Sequence, residues 1–191
     1  MTDWNIVFWS SARQIAEEAK LARALWPDED VSPDGYFRDL RTRGEVMAAI
    51  TYVAAALPKL EAIDWALSSL PPLDPSADDF AARMLVRDTI QRWLGEPDDE
   101  NRRAVERLVE QADRDWPETL IGLAVFFSGG SIAPEDTPPV PAEPGLMGQL
   151  IAGAIQSVIA AGAAEGAGLS GRILDLADQL ATNGRKPALT P

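Results

Sequence analysis

The chain has 191 residues, with 30 Asp and Glu against 17 Lys and Arg, a formal charge of −13, no His and no Cys. Without imidazole or thiolate, no Ser-His or Cys-His nucleophile pair can be assembled, and zinc and copper lose their usual ligands. A surface this acidic repels phosphate backbones, so no nucleic-acid partner is expected, while the apolar share of 46% describes an ordinary globular chain of one domain.

Met1-Thr2-Asp3-Trp4 carries no basic leader and the chain lacks Cys, which together give the expectation of a cytoplasmic protein. Residues 1–9 read as an extended arm, because Ile6-Val7-Phe8-Trp9 is strand-like yet has no partner strand. Ser10 or Ser11 caps a first helix expected to run to Trp26, with Ile15, Ala19, Ala22 and Leu25 on one face. Ser32-Pro33 opens a second helix, Gly44 breaks it, and Val46, Ile50, Val53 and Leu57 mark a third. Pro58 starts a fourth, which Pro71-Pro72 terminates. A fifth is expected from Ser76 to Gly95, and a sixth from Asp98 or Asp99, its Val105, Leu108, Val109 and Ala112 stripe opposed to Arg102, Arg103, Glu106 and Glu110. Trp116-Pro117-Glu118 opens a seventh that becomes apolar on all sides, an eighth begins near Leu146, and a ninth carries Leu169, Ile173, Leu176 and Leu180.

The fold class that follows is all-α: one domain over 1–184 of eight or nine mostly antiparallel helices, with a fraying tail over 185–191. Pro-Asp helix ends recur at unequal intervals, so no solenoid repeat is present. Leu146 to Ala164 has no charged residue and places Gly148 and Ala152 at the small-xxx-small spacing of membrane helix pairs. Gln149, Gln156, Ser157 and the lack of a flanking basic cluster favour a buried bundle helix over a membrane span.

The exceptional segment is the loop over 128–145, which joins the two most apolar helices and contains Ser128-Gly129-Gly130-Ser131 followed by Pro134, Pro138, Pro139, Pro141 and Pro144. Its length points to function or to a structural strap. As a functional element, the SGGS turn is a backbone nest for an anion and the proline run a docking strip. As a strap, the prolines stiffen a crossover between helix layers. No Lys follows the glycines, as phosphate-loop chemistry would need, and neither serine has a base. The carboxylate pairs Asp78-Asp79 and Asp98-Asp99 and the run Asp28-Glu29-Asp30 lie at helix starts or ends, where capping explains them better than acid–base or metal chemistry. No catalytic residue, metal or cofactor is therefore expected. Trp4, Phe8 and Trp9 on the arm are the candidates for an exposed partner-binding patch, with Ser128, Gly129, Gly130, Ser131, Pro134, Pro138, Pro139 and Pro141 as the loop's candidates.

Three stretches taken together resemble a known family. Leu57-Pro58-Lys59-Leu60-Glu61-Ala62-Ile63-Asp64-Trp65-Ala66 resembles its LPxREAVWWA segment, and Trp93 through Arg103 (WLGEPDDENRR) its WVxxPTDxNRR segment. Phe126-Phe127-Ser128-Gly129-Gly130-Ser131-Ile132-Ala133-Pro134, with Pro139-Val140-Pro141, resembles its FWSGGSxxPP…VPP signature. The family is an uncharacterised bacterial domain of unknown function, and the resemblance covers roughly 35–181. Leu60 stands for the family's Arg, Asp64 and Phe127 for its Trp residues, and Glu135 for a Pro. The family has no assigned catalytic residues. Its members are often encoded among type VI secretion genes, which implies an accessory role there.

The expectation is a non-catalytic interaction module, an accessory or adaptor-chaperone for a basic protein partner. The alternative is an inhibitor or immunity protein of a basic toxin enzyme, and a carboxylate- or metal-dependent enzyme stands third.

Overall fold

The computed structural model describes residues 3–134, 136–162 and 167–185. Met1, Thr2, Glu135, residues 163–166 and the tail from Lys186 lie outside the described residues, as do the parts of the apolar-segment and tail expectations that fall on them.

The described residues form nine α-helices and no strand: α1 (Ala12–Glu18), α2 (Pro33–Thr42), α3 (Val46–Ala56), α4 (Lys59–Ser68), α5 (Phe80–Gly95), α6 (Asp99–Val109), α7 (Pro117–Phe126), α8 (Leu146–Ala161) and α9 (Ala167–Asn183). The local chemistry of the starts is mostly as read. Ser11, Ser32 and Asp98 accept from the backbone N–H groups of Arg13, Gly35 and Asn101, and Pro33 and Pro117 occupy first turns. Gly44, at φ +75°, separates α2 from α3.

Three boundaries differ from the sequence expectation. The first helix stops at Glu18 rather than Trp26, because Lys20 takes φ +52° and only a short 3-10 turn, Arg23–Leu25, follows. Tertiary contacts hold that path: the Trp26 indole donates to the Leu21 carbonyl at 2.8 Å, with the Arg13 and Arg23 guanidinium groups 5.1 and 5.3 Å from its ring centre. α5 begins at Phe80 rather than Ser76, since Asp74 Oδ1 accepts from both the Ser76 N–H and hydroxyl and keeps the segment in turns. Asp79 makes no side-chain cap bond; its carboxylate lies 3.5 Å from Arg83 instead. The Asp-Asp cap reading therefore holds for Asp98 and fails for Asp79.

One buried apolar cluster runs from Trp4 to Ala181, with Phe37, Tyr52, Trp65 and Trp93 as its largest fully buried side chains. α7 packs chiefly on α8 and α6, and α3 on α8 and α2. Small residues set these distances. A Cβ at Gly122 would lie 2.4 Å from Val109 Cγ1, so α6 and α7 can meet only where that side chain is absent. A Cβ at Gly148 would come within 3.3 Å of the Ala54 carbonyl oxygen. The small residues of α8 thus serve close packing on α3 in a protein core. Among the described residues, no helix is long and apolar enough to cross a membrane.

α5 and α7 are joined by an ionic clasp. Glu118, with 0% of its surface exposed, accepts from Arg83 at 3.0–3.2 Å and from Arg87 at 2.6 and 2.9 Å. Arg87 also donates to the Pro71 carbonyl at 2.9 Å, tying down the loop before α5.

Candidate functional site

The arm over 1–9 was expected to display Trp4, Phe8 and Trp9. Trp4 is instead buried, its ring tilted at 47° to that of Phe37 with centres 5.1 Å apart and its indole N–H donating to Asp178 Oδ1 at 2.7 Å. An indole that can hide its ring and still reach an acceptor gains more from burial than from display. Trp9 is half-buried, and its N–H donates to the Ala55 carbonyl at 3.2 Å. Phe8 alone of the three projects, 90% exposed, above a depression shared with Ser10, Gln14, Glu17 and Glu18.

The 128–145 loop is ordered by its own serine and by two arginines. Ser131 and Pro141 form an isolated bridge, Ile132 N donates to the Val140 carbonyl at 2.8 Å, and Ser131 Oγ accepts from Ala133 N and Val140 N. This hairpin-like closure leaves Pro134, Pro138, Pro139 and Pro141 exposed. At the loop's far end, Lys20 Nζ lies 2.9 Å from Glu143 Oε1, which holds that carboxyl below its ordinary range. Gly145, at φ +79°, passes beside the Glu18 carbonyl.

Arg102 and Arg103 grip the near end. They are 4% and 8% exposed, where the sequence reading had placed them on the solvent face of α6. Arg102 donates to the Phe126 carbonyl at 2.9 Å and the Ser131 carbonyl at 3.0 Å, and Arg103 to the Ser131 and Ala133 carbonyls, each at 2.7 Å. Asp99 Oδ1 receives Arg102 Nε at 2.8 Å, and Glu106 receives Arg103 at 2.9 Å. Both guanidinium groups stack on the Phe126 ring, 5.1 and 5.3 Å from its centre. The carbonyls at the end of α7 have no partners within the helix, and planar, multiply donating cations satisfy them well. A periodicity signal for this was present in the sequence: Arg102 stands three and seven residues before Val105 and Val109, on the buried stripe.

These contacts bring the three resembling stretches to one place. A cleft of about 180 Å³ is lined by Lys59 from the start of α4, by Trp93, Pro97, Asp98, Asp99 and Arg102 from the α5–α6 corner, and by Ser128, Gly129 and Gly130. Ser128 Oγ donates to the Val125 carbonyl at 2.8 Å. Gly130 has φ +70°, and a Cβ there would meet Arg102 Nη2 at 3.0 Å and Asp99 Oδ1 at 3.1 Å, so glycine is required twice over. Lys59 and Trp93 were not singled out from the sequence as site residues, since each serves equally well as a helix-start lysine and a core indole. Among the described residues, no group of three or more acidic side chains is placed to hold a metal ion.

The loop candidates and the arm candidates do not share a cavity. No curated protein and no solved structure matches the chain. A family model matches residues 36–181, a span that contains every residue of the cleft and leaves the arm outside. By that match the chain belongs to DUF6931, a family of unknown function.

Proposed function

We propose that the protein is a non-catalytic interaction module that holds a basic protein partner, with Phe8 as its anchor. The carrying observation is a phenyl ring 90% exposed on an arm that is pinned on both sides. Before it, Trp4 bonds Asp178, Asn5 donates to the Thr182 carbonyl at 3.1 Å and Ile6 N to the Ala181 carbonyl at 3.2 Å; after it, Trp9 bonds Ala55. A rigidly presented aromatic loses little conformational freedom on insertion into a pocket, as the dominant residues of interfaces do. Glu17 and Glu18 beside it, and the −13 charge behind them, favour a partner whose pocket has a basic rim. A cytoplasmic accessory role in type VI secretion belongs to this proposal and rests on the resemblance of the three sequence stretches.

The test is affinity capture of partners from the native host with wild type, Phe8→Ala and Glu17→Lys/Glu18→Lys proteins, followed by titration of the captured partner. Phe8→Ala should weaken binding about 30-fold or more, the scale of a hot-spot residue. It should leave the melting temperature unchanged, because the ring has almost no contacts to lose. An unchanged partner set and affinity after Phe8→Ala would overturn the reading. Dissociation once the partner is assembled marks an adaptor, whereas tight one-to-one occupation of a basic active-site groove marks an inhibitor.

A further inference from the structure

The cleft between α4, the α5–α6 corner and the SGGS turn has a surplus of hydrogen-bond donors. Lys59 has no acidic or hydrogen-bonding partner among the described residues, and its Nζ lies 3.8 Å from where a Cβ on Gly129 would sit. The absent side chain therefore leaves room directly in front of an unpaired ammonium. Trp93 is 1% exposed and lines the cleft, yet its indole Nε1 has no acceptor. A buried donor left in that state is destabilising unless something outside the chain's own atoms completes it. The backbone N–H groups of Gly129 and Gly130 also donate to nothing among the described residues. The left-handed step at Gly130 is the kind of turn in which successive N–H groups converge on one acceptor.

Both aspartates at the cleft already accept from the chain's own donors. Asp98 Oδ1 takes the Asn101 N–H at 2.7 Å, and Asp99 takes Arg102 at 2.5 Å, with Arg103 Nε 3.9 Å away. What remains is an ammonium without an acidic partner and N–H groups without an acceptor, around a space of about 180 Å³.

We propose that this cleft binds a carboxylate, either of a small organic acid or of a polypeptide chain end. The lining side chains Lys59 and Arg102 balance Asp98 and Asp99, so a monoanion held by the N–H donors meets less repulsion than a phosphate dianion would. The carboxylate oxygens accept from Lys59, the glycine N–H groups and the Trp93 indole, which the chain cannot satisfy internally. This site is independent of Phe8, so the two readings stand or fall separately.

The experiment is a nitrogen–proton correlation NMR titration of the full chain with sodium acetate, N-acetyl-glycylglycine, its C-terminal amide and inorganic phosphate. The Trp93 indole signal is assigned through Trp93→Phe. Acetate and N-acetyl-glycylglycine should shift the Gly129 and Gly130 amides and the Trp93 indole, and the amide should not. Binding at least fivefold tighter for the peptide than for acetate identifies a chain end as the source, and equal or weaker peptide binding identifies a free acid. Lys59→Gln should weaken the carboxylate at least fivefold, and Gly129→Ala, which introduces no strained φ, should block it without altering charge. Both variants are checked for an unchanged melting curve, and Phe8→Ala should leave the shifts intact. Absence of shifts at these three groups with either carboxylate, shifts that persist in both variants, or stronger shifts with phosphate than with carboxylate would overturn the proposal.

Discussion

Arg102 and Arg103 show how much two side chains can organise when their donors reach carbonyls rather than carboxylates. Each guanidinium bonds backbone oxygens of a segment 24 to 30 residues further along the chain, so the end of α7 and the start of its loop are fixed from α6. Replacing Arg102 by Ala strands the carbonyl of Phe126, removes one of the two donors to the Ser131 carbonyl and leaves Asp99 without its main partner. The expected cost is about 2–4 kcal/mol, read as a lower urea midpoint with an unchanged slope. Arg102→Lys should recover little of it, since an ammonium cannot reproduce the planar fork. Glu118 is a sharper case, because its removal leaves two largely buried cations together; Glu118→Gln should destabilise by about 2–4 kcal/mol, and a simultaneous Arg87→Met should recover part of that. Both of the chain's tyrosines are buried and donate to carbonyls, Tyr36 to Leu25 and Tyr52 to Pro33. Burial is the largest cause raising both hydroxyls above the ordinary value of 10.0, most strongly for Tyr52. For such groups the stability is fully present below the unfolded pKa and is lost as pH rises beyond it toward the folded one. An alkaline titration should therefore show tyrosinate absorbance appearing together with loss of helical circular dichroism, in one cooperative step above pH about 10. Gradual ionisation with the helices intact would contradict this.

At the scale of the elements, the punctuation of the fold was legible because it is local chemistry. Ser32-Pro33, Gly44, Pro58, Asp98 and Trp116-Pro117 each mark a boundary that the structure places within a residue or two. The helix end at Glu18 was not legible, since the residues after it keep a helical spacing and only the docking of Trp26 against Leu21 and two arginines overrides it. The candidate site was half legible. The SGGS turn stood out by its glycines, but the cleft beside it is lined by a lysine 69 residues before Ser128 and the turn is held by a buried arginine pair, and no local pattern announces a guanidinium whose acceptors are distant carbonyls. The expected display of Trp4 failed for a related reason, its acceptor being Asp178. Helix packing itself makes a further prediction. Gly122→Ala drives a methyl into Val109 and Val105, and the separation of α6 from α7 should cost about 1–3 kcal/mol in chemical denaturation.

Across the whole molecule, four arginines are drawn into clasps and clamps. Arg83, Arg87, Arg102 and Arg103 have side chains 20% exposed or less, whereas Asp99 and Glu143 are above 60%. The field felt by a partner follows from the net charge of −13. Self-repulsion should make the folded state more stable in salt, so the melting temperature should rise between about 20 and 300 mM NaCl as the Debye length shortens. The association rate with a basic partner should fall over the same range.

The pinning of residues 4–6 to residues 178–182 has a consequence in time as well as space. During synthesis the arm emerges before the acceptors that position it, the Asp178 carboxylate following Trp4 by 174 residues. Until α9 has left the ribosome and docked, Phe8 sits on a loose segment. A nascent or truncated chain thus offers a partner the ring without its rigid presentation, and the finished fold alone offers both. Recognition through Phe8 would in that way report that the chain has been made through α9.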